Sequence, residues 1–143
     1  MDTSFANLDR RLRSAGLMFA VGSAIHVADH LRRGQGSISD TLYALGNTAL
    51  VLQVVTITLI ATRHRLAPTV AAVAGPSLAI GFLAAHWLPH WGAASDPVWE
   101  ISSMRWLSMV ASIGEIVGAA MIGVAGISIV LRDARMRHVA GGR

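Results

Sequence analysis

The chain has 143 residues, of which 53% are hydrophobic and 14% are charged, and its mean hydropathy is +0.53. A soluble domain carries about 25% charged residues, so this chain has too little charge for a surface that faces water on all sides. Its apolar content excludes intrinsic disorder. It has no cysteine, which excludes disulfides, thiolate metal sites and cysteine nucleophiles. Every basic residue is arginine, which together with the abundant Ala and Gly is typical of a GC-rich bacterial coding sequence.

Four apolar runs follow one another along the chain, each bounded by Arg, Gly, Pro or Asp. They cover approximately residues 12–31, 38–62, 66–88 and 104–131. A bilayer core about 30 Å thick needs about 20 apolar residues per helix, whereas membrane-spanning strands need about ten with alternating polarity. These runs are longer and do not alternate. The sequence therefore predicts an all-α, integral membrane four-helix bundle that forms a single domain over residues 1–143.

The arginines are distributed unevenly between the two ends of the predicted bundle. Cytoplasmic loops carry an excess of arginine, so both termini are predicted to be cytoplasmic, in a multi-pass protein of the cell membrane. The net charge of +4 then reflects topology, and we expect membrane lipid as a partner and no nucleic acid. The opposite end carries Arg32, Arg33 and Arg105. The nine arginines on the predicted cytoplasmic side are Arg10, Arg11, Arg13, Arg63, Arg65, Arg132, Arg135, Arg137 and Arg143.

The first run carries ionisable side chains in its second half. His26 and His30 are four residues apart and Asp29 lies between them, so at 100° per residue all three share one face of a helix. Ionisable residues in a spanning helix are costly, face the bundle interior and mark functional sites. Two imidazoles at positions i and i+4 form half of a metal site.

The other three runs add polar residues in chain order. The second carries Asn47 on its predicted inner face, while Gln53 is predicted to point elsewhere, towards another subunit. The third ends on His86 and His90, which repeat the spacing of the first pair. The first and third helices run in the same direction, so both pairs are expected at one depth near the outer membrane face. The fourth carries Glu115 among small residues, which pack helices closely in lipid, so this carboxylate is predicted to face the interior.

A histidine-rich set with one carboxylate suits zinc, iron or copper(II) and does not suit calcium or magnesium. The predicted metal site, on the extracytoplasmic side, uses His26, His30, His86 and His90. Glu115 is either a fifth ligand or the catalytic general base towards a water on the metal. The residues expected to position these ligands through hydrogen bonds are Asp29, Asn47 and Ser112.

The tryptophans of the chain all lie between the end of the third run and the start of the fourth. Tryptophan is enriched at membrane–water interfaces, so the favoured interpretation is an aromatic belt at the outer interface. A second interpretation is a lid over the metal site. These residues are Trp87, Trp91, Trp99 and Trp106.

The first functional hypothesis is a metal-dependent redox or hydrolytic enzyme that acts on a lipid-soluble substrate. One alternative is a heme-b electron carrier, with one histidine from each of two helices. Another is a proton- or metal-coupled transporter that uses Glu115, with the histidines as a relay. A further alternative is a non-catalytic subunit of a membrane complex, and a hydrogen-bonded core network is the purely structural one. Small residues on several faces of the fourth helix also allow a homodimer.

Overall fold

The fold is known from a computed structural model that describes residues 3–141 and the side chains of 7–34 and 36–139. Its main elements are four long helices joined by short segments, and two of these segments contain one 3-10 turn each. The all-α class predicted from the sequence is confirmed for the described residues. The helices are α1 (Thr3–Arg33), α2 (Asp40–Ala61), α3 (Ala67–Trp87) and α4 (Arg105–Gly141), and the turns are Gln35–Ser37 and Val98–Glu100.

Two of the helices are longer than the apolar runs that predict them. Helix α1 begins at Thr3 rather than near residue 12, and α4 continues to Gly141 rather than ending near residue 131. The added turns contain charged residues and alanine without an interior Gly or Pro, so helix propensity favours their continuation. An apolar run thus locates the part of a helix suited to lipid, not its full length. Both ends of α2 and α3 lie within two residues of the predicted bounds.

Local sequence signals determine where α1 and α3 end and where α2 begins. Gly34 has a φ of +82° directly after α1, a conformation that glycine adopts readily at the end of a helix. The hydroxyl of Ser39 caps α2 by accepting a hydrogen bond from the backbone N–H of Leu42 at 3.0 Å. Helix α3 ends at Trp87 because Pro89 disfavours helical geometry in the residue before it. The segments after α1 and α3 lie close together, since Arg33 at the end of α1 pairs with Asp96.

Glycines allow α4 to approach α1 and α3 with almost no space between the backbones. A Cβ atom added at Gly22 would lie 2.7 Å from the backbone of Gly114, and one added at Gly75 would lie 2.5 Å from the backbone nitrogen of Gly123. Such contacts are the small-residue packing that favours helix association in lipid. Helix α4 is consequently the central element, and α2 packs less extensively against α1 and α3.

The order of these contacts gives the direction of the helices. Gly118, which follows Gly114 on α4, lies against Phe19, which precedes Gly22 on α1. The same reversal holds for α3, whose residues 68–72 face Gly126. Both α1 and α3 are therefore antiparallel to α4 and parallel to each other, so their carboxyl ends lie at the same end of the bundle.

The bundle has an apolar core, but it also exposes large apolar side chains and buries polar ones. Helices α2, α3 and α4 are long and apolar enough to cross a membrane. Large apolar side chains such as Val51, Val73 and Val124 are exposed on their outer faces. Helix α1 does not belong to this group, because His26 and its neighbours interrupt its apolar run. The polar side chains that are buried instead in the interior are Ser23, His26, Asp29, Gln53, Thr56, His86, Ser95, Ser108, Ser112 and Glu115.

Candidate metal centre

Three histidines meet between α1 and α3, and we refer to His26, His30 and His86 as the histidine triad. The Nε2 atoms of His26 and His30 are 3.0 Å apart. The ring of His86 lies 4.9 Å from that of His26 and 5.8 Å from that of His30, measured between ring centroids. One ligand nitrogen from each residue lies within 4.8 Å of the other two, so the triad could hold a metal ion.

One pair of nitrogens in the triad already has a spacing near that of a loaded zinc site. A zinc ion binds each imidazole nitrogen at about 2.0–2.1 Å, which holds the nitrogens of a tetrahedral site about 3.3–3.4 Å apart. The Nε2 atoms of His26 and His30, 3.0 Å apart, are near this separation, and the ligand nitrogen of His86 lies within 4.8 Å of both. His26 and His86 are buried and His30 is half-buried, and the ring of Phe82 lies 6.0 Å from that of His26. The site is therefore largely protected from bulk water.

His86 has the hydrogen bonding of a metal ligand. Its Nδ1 atom lies 3.0 Å from the backbone carbonyl oxygen of Asp96, and a carbonyl can only accept, so Nδ1 carries the proton. This leaves the lone pair of Nε2 available for a metal, as in most metal-ligating histidines. The backbone N–H of Asp96 donates in turn to the carbonyl of Ala85 at 2.8 Å. The segment after α3 thus fixes both the tautomer and the position of His86.

His30 has a different arrangement, because Arg33 donates to it. A guanidinium nitrogen of Arg33 lies 3.0 Å from Nδ1 of His30, and guanidinium groups only donate, so Nδ1 is an acceptor. The proton of His30 is then on Nε2, which donates to Nε2 of His26 at 3.0 Å. A metal ion on Nε2 of His30 has to displace this proton, so binding is expected to release protons.

Two charged residues that were not predicted as part of the site, Arg33 and Asp96, contact the triad. The guanidinium of Arg33 forms an ion pair of 2.5 Å with the carboxylate of Asp96, whose Oδ2 also lies 3.8 Å from Nδ1 of His86. Asp29, which was predicted to orient an imidazole, instead pairs with Arg32 at 2.8 Å and lies 3.5 Å from Nε of Arg33. Asp96 rather than Asp29 therefore stands beside an imidazole.

Glu115 lies beside the triad, as the sequence predicts. Its side chain is fully buried, and Oε2 is 3.6 Å from Nε2 of His26. Neither carboxylate oxygen has a hydrogen-bond partner among the described residues. Gln53, which was predicted to face another subunit, is instead buried inside the bundle. The prediction that Gln53 faces another subunit is therefore wrong.

His90 lies outside the triad, although it has the same spacing from His86 as His30 has from His26. Helix α3 ends before it, and the exposed imidazole has Nδ1 3.8 Å from Oε2 of Glu100. Together with Asp96, these residues line a cavity of about 250 Å³ between the segments that follow α1 and α3. Pro89 thus separates His90 from the three histidines that come together.

The remaining predicted site residues have other contacts. Asn47 is exposed on α2. The hydroxyl of Ser112 is buried and accepts a hydrogen bond of 3.1 Å from the indole of Trp87, which ties α3 to α4. The indole of Trp91 donates to the carbonyl of Ala84 at 2.8 Å. The other three tryptophans, Trp91, Trp99 and Trp106, are exposed, as expected for an aromatic belt. The role of the tryptophans as a lid stays a prediction.

Comparisons with models of protein families, with curated proteins and with solved structures find no match to this chain. The function of this chain is therefore inferred from the chemistry of the triad, of Glu115 and of the groups that hold them.

Proposed function

We propose that this protein is a multi-pass membrane protein that binds a transition-metal ion through His26, His30 and His86, with Glu115 beside them as a further ligand or as a general base. The observation that carries this proposal is the approach of three imidazole nitrogens to within 4.8 Å of one another, beside a buried carboxylate 3.6 Å from one of them. Imidazole and carboxylate ligands without a thiolate suit zinc, copper(II) or iron. A divalent ion also offsets the charge of Glu115, which is costly in an apolar interior.

The exterior of the bundle supports insertion into a membrane. Three helices have the length and hydropathy to cross a bilayer, and their exposed faces carry large apolar side chains, whereas soluble monomers rarely expose large apolar patches. In the orientation that arginine counts favour, both termini are cytoplasmic. The triad, at the carboxyl ends of α1 and α3, then lies towards the extracytoplasmic side.

The proposed ligand set is also suited to catalysis on a lipid-soluble substrate. Catalytic zinc sites use three protein ligands and keep one position open, and the triad provides three. A bound zinc ion supplies Lewis-acid chemistry, and copper or iron supplies redox chemistry. Glu115 lies close enough to His26 either to act as a ligand or to accept a proton from a reacting group. We therefore propose a metal-dependent hydrolytic or redox enzyme.

The cavity between the connecting segments supports access to the triad. Asp96 lines this cavity and accepts a hydrogen bond from His86 through its carbonyl, so a single residue separates the cavity from the site. By contrast, the rings of His26 and His86 are in edge-to-face contact with centroids 4.9 Å apart. A porphyrin plane does not fit between rings at this distance, so a single ion suits the site better than heme.

Metal analysis and absorbance spectroscopy on one detergent-purified sample, prepared without chelator, test the proposal. We expect about one transition-metal ion per chain, and visible d–d bands after substitution with Co²⁺. His26→Ala combined with His86→Ala should abolish both signals. The matched controls are His64→Ala and His138→Ala, since both histidines are exposed and lie far from the triad in the sequence. Wild-type protein without stoichiometric metal would contradict the proposal, and a Soret band would favour heme.

The Asp96→Asn variant should bind the metal more weakly although its backbone carbonyl is retained. The substitution removes the charge that pairs with Arg33, which leaves a buried guanidinium beside a site for a cation. Residues that hold metal ligands in place typically change affinity by about 10–100-fold when mutated, and we expect a loss in this range in Co²⁺ titrations. Asp40→Asn, at an exposed position at the start of α2, is the control. Equal affinity of Asp96→Asn and wild type would remove Asp96 from the site.

A further inference from the structure

The cavity between the segments after α1 and α3 contains a histidine and a carboxylate that do not belong to the triad. Nδ1 of His90 and Oε2 of Glu100 are 3.8 Å apart, and both side chains are more than half exposed. Both residues line the cavity. Two metal–ligand bonds of about 2.0–2.2 Å can bridge the distance between these atoms. The pair therefore offers an imidazole nitrogen and a carboxylate oxygen to an ion that arrives from this end of the bundle.

The size of the cavity suits a hydrated ion better than an organic molecule. Its volume is about 250 Å³. A water molecule occupies about 30 Å³ in the liquid, so the cavity has room for about eight, enough for an ion with its first hydration shell. Pockets for drug-sized ligands are larger, about 300–1,000 Å³, and mostly apolar, whereas more than half of the residues that line this cavity are polar. Its polarity also distinguishes it from a site for a lipid-soluble substrate.

The charge around the cavity favours a cation. Asp96 and Glu100 are acidic, and none of the described residues that line the cavity is lysine or arginine. Arg33 pairs with the carboxylate of Asp96, so the negative charge that the cavity retains is that of Glu100. A cleft with charge of one sign raises the local concentration and the association rate of oppositely charged ligands by about 10–10³-fold.

A single residue connects the cavity with the triad. Asp96 lines the cavity, and its backbone carbonyl accepts a hydrogen bond of 3.0 Å from Nδ1 of His86. Its carboxylate lies 3.8 Å from the same nitrogen. The groups that can contact a metal ion therefore continue from the exposed pair, His90 and Glu100, through Asp96 to the buried triad.

We propose that His90 and Glu100 form a loading site, which captures the transition-metal ion from the extracytoplasmic side and passes it by way of Asp96 to the triad. This inference rests on the metal binding proposed above, and it assigns a role to the histidine that helical spacing predicted as a fourth ligand. Two ligands on exposed side chains hold an ion weakly. The ion therefore stays at this pair only in transit, and one ion per chain is bound at equilibrium.

Stopped-flow mixing of Co²⁺ with the detergent-purified full chain, followed by the d–d bands of the triad, tests the proposal. His90→Ala and Glu100→Gln should each load about tenfold more slowly than wild type, since each lacks one of the two groups that capture the ion. Release of bound Co²⁺ into excess Zn²⁺ should slow by the same factor, because the ion leaves by the path on which it enters. The equilibrium affinity for Co²⁺ is then unchanged.

Two matched controls separate local capture from a general change of charge. Asp40→Asn removes the same charge as Glu100→Gln from an exposed position at the start of α2 that does not line the cavity. His64→Ala removes an exposed imidazole from the segment between α2 and α3. Both controls should load and release Co²⁺ at the wild-type rates.

The possible results distinguish the loading site from the metal site. Wild-type rates of loading and release in both His90→Ala and Glu100→Gln would overturn the loading site and leave the metal site intact. Slower loading with an unchanged release rate would place these residues in the final ligand set, and would overturn the loading site as well. A wild-type protein that gives no Co²⁺ spectrum at equilibrium would contradict the metal site itself and, with it, the loading site.

Discussion

The Glu115→Leu variant is expected to be more stable than the wild-type protein and to have lost most of its affinity for metal. Removing this carboxylate breaks no hydrogen bond, because neither of its oxygens has a partner among the described residues. Leucine has a similar size and carries no charge into the fully buried position. Replacement of buried ionic groups by apolar residues of similar volume is often stabilising, by about 1–4 kcal/mol.

Metal affinity should change in the opposite direction. Residues that merely support metal ligands cost about 10–100-fold in affinity when mutated, so loss of Glu115 as a ligand is expected to cost about 100-fold. Thermal unfolding in metal-free buffer measures the first effect, and Co²⁺ titration measures the second. The opposite signs of the two effects distinguish a functional carboxylate from one that is retained for packing.

Two variants make this result interpretable. Glu115→Gln keeps the shape of the side chain and removes its charge, so it should show the same loss of metal affinity. Glu100→Gln removes a carboxylate that is more than half exposed. It should leave both the unfolding temperature and the Co²⁺ affinity unchanged. A Glu115→Leu protein that unfolds at a lower temperature than wild type in metal-free buffer would show that the carboxylate supports the fold directly.

Helical periodicity predicted that residues of α1, α3 and α4 come together, correctly for His26, His30, His86 and Glu115 and wrongly for His90. His26 and His30 share a face because they are four residues apart, and His86 reaches them because α1 and α3 are parallel. Glu115 follows from its face of small residues, which pack against α1. In each case a polar residue interrupts an otherwise apolar helix. Burying it inside the bundle costs less free energy than exposing it to lipid.

Helical periodicity does not predict the contacts that irregular segments make. Arg33 and Asp96 are 63 residues apart, and periodicity assigns no position to a residue in the segment between α3 and α4. His90 has helical spacing from His86, but Pro89 ends the helix. An i, i+4 pair is informative only when the helix continues through both positions.

Helix α2 shows a second limit of sequence reasoning. Asn47 and Gln53 are both polar and lie on different faces of α2. The rule that polar residues face the bundle interior therefore does not say which of the two faces is buried. The structure buries the face with Gln53, Thr56 and Ile60 and exposes Asn47. Because α2 packs less extensively than the other helices, its rotation depends on a few contacts near its carboxyl end. One of these is Ile60 against Gly16 of α1.

Two glycines of α3 are expected to respond in opposite ways to the same substitution. A Cβ atom at Gly75 would lie 2.5 Å from the backbone nitrogen of Gly123 and 2.7 Å from the carbonyl oxygen of Ala119. Backbone atoms cannot rotate away, so Gly75→Ala should force α3 and α4 apart. Gly81 has open space at the same position, and alanine there should stabilise the helix by about 1 kcal/mol.

Overpacking of this kind typically costs about 1–3 kcal/mol, so Gly75→Ala should lower the thermal unfolding temperature and Gly81→Ala should raise it. The site should respond as well, since His86 is at the end of α3, and a displaced helix moves its imidazole away from the two on α1. Co²⁺ affinity is therefore expected to fall in Gly75→Ala and to stay unchanged in Gly81→Ala. Equal unfolding temperatures for the two variants would mean that α3 and α4 do not approach as closely as Gly75 and Gly123 indicate.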